Sequence, residues 1–65
     1  MRIQVNGCWR EVDAALLEGA LADLGYGEAV VSTAVNGEFV AVAARARTAL
    51  SEGDRLEVLA PMQGG

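Results

Sequence analysis

Histidine and lysine are both missing from this chain of 65 residues, and cysteine, proline, tryptophan, tyrosine and phenylalanine each occur once. Without histidine there is no ordinary general base near neutral pH and no supply of the commonest metal ligand. Without lysine there is no Schiff-base chemistry and no side-chain branch point for an isopeptide bond. A lone Cys8 cannot close an intramolecular disulfide, and it falls three thiolates short of an iron–sulfur cluster. No apolar run approaches the roughly 18 residues that a membrane span needs. The opening stretch Met1–Val5 has neither an apolar signal core nor a basic transit character, so a cytoplasmic, reducing location is expected.

Positive charge is also scarce. Five arginines against nine acids leave a net charge of −4. That is the wrong sign for tracking phosphates, and a nucleic-acid partner is not expected. An acidic chain favours a partner with a basic docking face. At this length only one small domain is possible, and it buries only about 60% of the surface its unfolded chain exposes. Twelve of the apolar residues are alanine, which leaves enough larger side chains for one core between a sheet and a helix. A protein so small and so poor in catalytic groups is not expected to be an enzyme.

What is present is clear punctuation. Arg2–Val5 alternates polar and apolar residues, with Ile3 and Val5 on one face, the period of a half-buried strand. Asn6-Gly7 then signals a tight hairpin, because a type I′ turn needs positive φ at both central positions. Cys8–Val12 returns as the second strand. Asp13 is a suitable N-cap, and Leu16, Leu17, Ala20, Leu21 and Leu24 form one apolar stripe on a helix predicted over Ala14–Leu24. Gly19 within it costs roughly 1 kcal/mol against alanine, which suggests close packing on the sheet. Gly25 is placed for a left-handed helix stop. Val30–Val35 reads as a strand, Asn36-Gly37 as a second hairpin turn, and Glu38–Val42 as its return. Ala43–Leu50 fits either a helical turn or an irregular crossover. Ser51–Asp54 has turn composition, and Arg55–Ala60 is the last strand, with Leu56 and Val58 on one face and Arg55, Glu57 and Leu59 on the other.

Hairpin, helix, hairpin, strand is the resulting order. The helix must cover one face, and the last strand completes the core most simply beside the first and parallel to it. The expected class is therefore α+β, a β-grasp with a mixed sheet of four to five strands packed on one helix. Residues 1–60 would form the domain and 61–65 a flexible C-terminal tail.

Four features offer chemistry. Cys8 sits beside a turn with only Arg10 near it in sequence, and reads as a packing residue rather than a reactive thiol. Glu11, Asp13, Glu18, Asp23 and Glu28 flank a cap and a solvent face, so a structural role outweighs acid–base work. Arg45, Arg47 and Arg55 would suit an anion clamp, but a solubilising loop is the plainer reading. The fourth feature is the tail. Pro61 stiffens the exit from the sheet, Met62 and Gln63 are slim and uncharged, and Gly64 and Gly65 have no Cβ to obstruct a narrow channel. Such an end presents one reactive group, the α-carboxylate of Gly65. Two glycines alone signify little, but two glycines closing a β-grasp are a strong signal.

With these features the whole chain resembles the ThiS family of sulfur-carrier proteins, β-grasp relatives of ubiquitin. The resemblance rests on Asn6-Gly7, on the stretch Ala34–Val40, on Thr48–Val58 with its Gly53-Asp54 turn, and on the ending Ala60–Gly65. It implies that a ThiF-type adenylyltransferase uses ATP and magnesium to adenylate Gly65, the carrier itself binding no cofactor. Sulfur would then replace AMP to give a thiocarboxylate, which a ThiG-type thiazole synthase uses in thiamine biosynthesis. Family tails often carry a third glycine where this chain has Gln63, so Gly64 and Gly65 are the positions that carry over. Other sulfur acceptors (molybdopterin or thiolated tRNA), or use as a ubiquitin-like modifier, are the alternative readings. Since Leu56 and Val58 face the core, Leu59 should emerge on the uncovered face, where it and Phe39 are expected to dock the partners.

Overall fold

The computed structural model describes residues 1–60, and the tail expected at Pro61, Met62, Gln63, Gly64 and Gly65 lies outside them. Strands β1 (Arg2–Val5) and β2 (Cys8–Glu11) are followed by helix α1 (Leu17–Asp23). Then come β3 (Ser32–Val35), β4 (Glu38–Val40), a 3₁₀ helix (Val42–Arg47) and β5 (Arg55–Leu59). Among the described residues the strands form one sheet in the order β2-β1-β5-β3-β4. β5 lies in the middle, parallel to β1 and antiparallel to β3. This is the expected mixed β-grasp sheet, with five strands. No helix among the described residues is long and apolar enough to cross a membrane.

Both hairpins turn as their Asn-Gly pairs require. Asn6 and Asn36 hold φ of 51° and 50°, and Gly7 and Gly37 each hold 86°. Positive φ at both central positions matches the right-handed twist of the flanking strands. The pairings Val5↔Cys8 and Val35↔Glu38 set the register of each hairpin. That register sends Ile3, Val5, Leu56 and Val58 to one face, where they meet Leu17, Ala20 and Leu21 of α1 in the core.

The helix is shorter than its apolar period predicts. It begins at Leu17 rather than Ala14, and Asp13 does not cap it; Leu16 occupies the N-cap with no side-chain hydrogen bond. The reason is a non-local pairing. The Leu17 N–H donates to the Thr48 carbonyl at 2.8 Å, the Leu50 N–H donates to the Ala15 carbonyl at 2.8 Å, and Leu16 bridges Ala49. These contacts draw the residues before α1 out alongside 48–50, so Leu16 leaves the buried stripe and remains exposed. Asp23 completes the arrangement by accepting the N–H groups of both Asp13 and Ala14, each at 3.0 Å. A Cβ on Gly19 would lie 2.6 Å from the Ala14 Cβ, so the close approach at Gly19 is to this extended segment and not to the sheet. The far end behaves as expected. Gly25 has φ of 93°, and the Tyr26 and Gly25 N–H groups donate to Leu21 and Ala22, the bonding pattern of a Schellman stop.

The second hairpin is also shorter than expected, β3 starting at Ser32 rather than Val30 and β4 ending at Val40 rather than Val42. The alanine- and arginine-rich crossover is a 3₁₀ helix, and Arg45 within it corrects the reading of a solubilising loop. Its side chain is buried: Nε donates to Thr33 Oγ1 at 3.1 Å and a terminal nitrogen donates to the Val31 carbonyl at 2.6 Å. Thr33 Oγ1 in turn donates to the Val40 carbonyl at 2.9 Å. Arg45 therefore ties the crossover to β3 and, through Thr33, to β4.

Candidate functional site

One face of the sheet is covered by α1, and the other is open. Strand alternation decides which side chains stand on it. Gln4 opposes Trp9, Ala34 opposes Phe39 and Glu57, and Ser32 opposes Leu59. Since Ile3, Val5, Leu56 and Val58 point into the core, these residues share the opposite face. Phe39 and Leu59 are 73% and 67% exposed. They line one shallow depression of about 120 Å³ together with Ser32, Ala34 and Glu57. The two residues expected on the outer face are thus neighbours across β3, and each leaves most of an apolar side chain in water.

A wider groove of about 530 Å³ continues from Leu59 across the sheet, lined by Gln4, Asn6, Gly7, Gly37, Arg55 and Glu57 among others. Trp9 adds a third apolar group on this face, half exposed, with the Arg2 guanidinium 4.6 Å from the centre of its ring. That contact shields one side of the indole and holds a positive charge beside it. The period-2 alternation of β1 and the Asn6-Gly7 turn were enough to place Trp9 opposite Gln4, but the tryptophan was not singled out from the sequence.

The remaining candidates scatter. Cys8 is exposed at the edge of the sheet. Asp23 is engaged in holding backbone N–H groups, while Glu11, Asp13, Glu18 and Glu28 are exposed on separate elements. Arg45 is buried, whereas Arg47 and Arg55 are exposed, so the three arginines do not converge on an anion site. Among the described residues no cluster of three metal-ligating side chains occurs. What the described residues do bring together is one exposed apolar patch, Phe39 with Leu59, the latter on the strand that leads toward Gly65.

The family model of the ThiS family matches residues 3–65. A crystal structure of the thiamine biosynthesis protein ThiS from Geobacter metallireducens is similar over the full length of both chains, with 33% identity and a TM-score of 0.82. No curated protein matches.

Proposed function

The chain belongs to the ThiS family, and from that premise we propose that it is a sulfur carrier whose cargo is held on the carboxyl group of Gly65 and delivered for thiazole formation in thiamine biosynthesis. The observation that carries this reading is the family match, which runs to Gly65 and so includes the Gly64-Gly65 ending.

The chemistry needs a carboxylate and room around it. A carboxylate is a poor acyl donor, and attack on the α-phosphate of ATP, with release of pyrophosphate, turns it into an acyl-adenylate with AMP as leaving group. The terminal sulfur of a persulfide then displaces AMP, and a thiol reduces the resulting acyl disulfide to leave a thiocarboxylate on Gly65. That group is ionised at neutral pH and more nucleophilic than the carboxylate it replaces, so it can attack a carbon electrophile. ATP and magnesium belong to the ThiF-type adenylyltransferase, and the electrophile belongs to a ThiG-type thiazole synthase. The carrier supplies no catalytic side chain. Glycines at 64 and 65 leave the approach to the carboxylate unobstructed, and residues 61–65 are the extension that joins it to the 1–60 domain.

Docking is the carrier's other task. Phe39 and Leu59 offer a partner an apolar anchor beside the strand that leads to the extension, and such central apolar contacts carry much of the affinity of an interface. The net charge of −4 adds long-range attraction to a basic partner surface. A direct test is pyrophosphate release by a ThiF-type enzyme with ATP and magnesium. The full chain should support it, and deletion of Gly65 should abolish it, because the carboxylate retreats about 3.3–3.6 Å along an extended chain. A Gly65-deleted chain that still forms the adenylate contradicts the assignment.

A further inference from the structure

β5 outruns β1. The last residue pair between them is Val5↔Leu56, yet β5 continues to Leu59. Past that pair the edge of β5 facing β1 should carry bare backbone groups. Instead, the side chain of Asn6 continues the ladder. Its Oδ1 accepts the Val58 N–H at 2.8 Å and its Nδ2 donates to the Val58 carbonyl at 3.1 Å. The primary amide stands in for one more residue of β1. It can do so because Asn6 sits in the turn with φ of 51°, after its own N–H has donated to the Leu56 carbonyl. On the other edge Ser32 and Thr33 of β3 pair with Leu59 and Val58. The end of β5 is thereby held from both sides.

Asn36 is its counterpart at the opposite end of the same strand. It has φ of 50° in the same kind of turn, its Oδ1 accepts the Arg55 N–H at 3.0 Å, and its Nδ2 donates to Asp54 Oδ1 at 3.0 Å. Two asparagines in matching turns thus secure β5, one where it begins and one next to its last residue.

We infer that Asn6 is a positioning residue for the transfer chemistry: by pinning Val58 it fixes where and in which direction the chain leaves the sheet, and so sets the register between the Phe39–Leu59 surface and the reactive end. The inference rests on the proposed carrier function. A partner that grips the open face sees the reacting carboxylate only through the residues after Leu59. Loosening at Val58 is therefore passed on to the reacting atoms, whereas loosening at Arg55 is absorbed by the rest of the strand. Small misplacements of reacting groups are costly in rate even where binding persists.

The test compares Asn6→Gly with Asn36→Gly, since glycine keeps the positive φ and removes only the amide. A purely structural role predicts that the two behave alike. The positioning role predicts that Asn6→Gly lowers kcat for pyrophosphate release about tenfold. It also predicts that KM for the carrier, and kcat of Asn36→Gly, stay within about twofold of the parent values. Asn6→Asp, which retains the acceptor for the Val58 N–H and loses the donor to its carbonyl, is the milder variant and should fall in between. Amide hydrogen exchange provides the readout independent of activity: Val58 should exchange faster in Asn6→Gly and Arg55 faster in Asn36→Gly. Unchanged Val58 exchange overturns the clamp, and faster exchange with unchanged kcat, or an equal loss in both glycine variants, overturns the positioning role alone. If the parent chain releases no pyrophosphate while another ThiS carrier does, the carrier reading fails and the positioning role falls with it.

Discussion

Leu56 and Val58 on β5 are 1% and 5% exposed, while Leu59, one residue further on, is 67% exposed. The covered face of the sheet has enclosed its large apolar groups under α1, and the open face displays Trp9, Phe39 and Leu59. Both faces arise from one period-2 alternation, and the difference lies in what covers them. Among the described residues one α-helix serves a sheet with two sides. Apolar groups on the covered side contribute to folding in proportion to the area they lose to solvent. Those on the open side contribute little to the isolated chain and, in the proposed function, retain their area for a partner. Stability and docking are therefore separable by substitution, even between adjacent residues.

The largest stability loss should come from the covered face. Leu56→Ala removes buried methyl groups at the centre of the sheet and should cost about 2–5 kcal/mol in denaturant unfolding, a large share of what so small a domain can have. A loss much below that would mean that the core relaxes around the gap and that the two faces differ less than their exposure indicates.

A smaller loss should follow from Arg45→Ala, which leaves the Val31 carbonyl without the donor it has in the parent and cuts the link from the crossover to Thr33. Removing such buried partners costs about 1–3 kcal/mol. Arg47→Ala is the control, since the exposed Arg47 makes only a 3.3 Å bond to the Ala43 carbonyl within its own helix. Equal unfolding midpoints for the two variants would return Arg45 to the surface role that its neighbours in the sequence suggest.

The smallest change in stability belongs to the open face. Leu59→Asp should alter unfolding by no more than about 0.5 kcal/mol, as surface substitutions usually do. Its effect should appear in function instead, as a several-fold rise in KM for adenylation. Unchanged kinetics would place the docking surface elsewhere and leave the assignment of the chain's end intact.

These contrasts also explain which features could be read from the sequence. Local signals with a single physical solution were legible. The two Asn-Gly turns, Gly25 after the helix and the alternation of Arg55–Leu59 all stand where their chemistry places them. Since the order of elements leaves few ways to bury one helix on one sheet, the central position of β5 followed, and with it the outward direction of Leu59. Features that depend on a distant partner were not legible. Nothing near Ala14 reveals that residues 48–50 will pair with its neighbours and delay the helix to Leu17. Arg45 and Arg47 look alike in an alternating run, and only the fold distinguishes the one that reaches Thr33 and Val31. The Asn6 amide escaped for a related reason: its backbone role in the turn is a complete explanation until Val58, 52 residues away, comes alongside it.

In the proposed function this small domain presents one carboxyl group for sulfur loading. Intact-protein mass spectrometry tests it most directly, after incubation with a ThiF-type enzyme, ATP, magnesium, a persulfide donor and a thiol. The predicted result is a mass gain equal to the exchange of one oxygen for one sulfur, located on Gly65 and absent when ATP is omitted. An unchanged mass, in a reaction that loads another ThiS carrier, would contradict it.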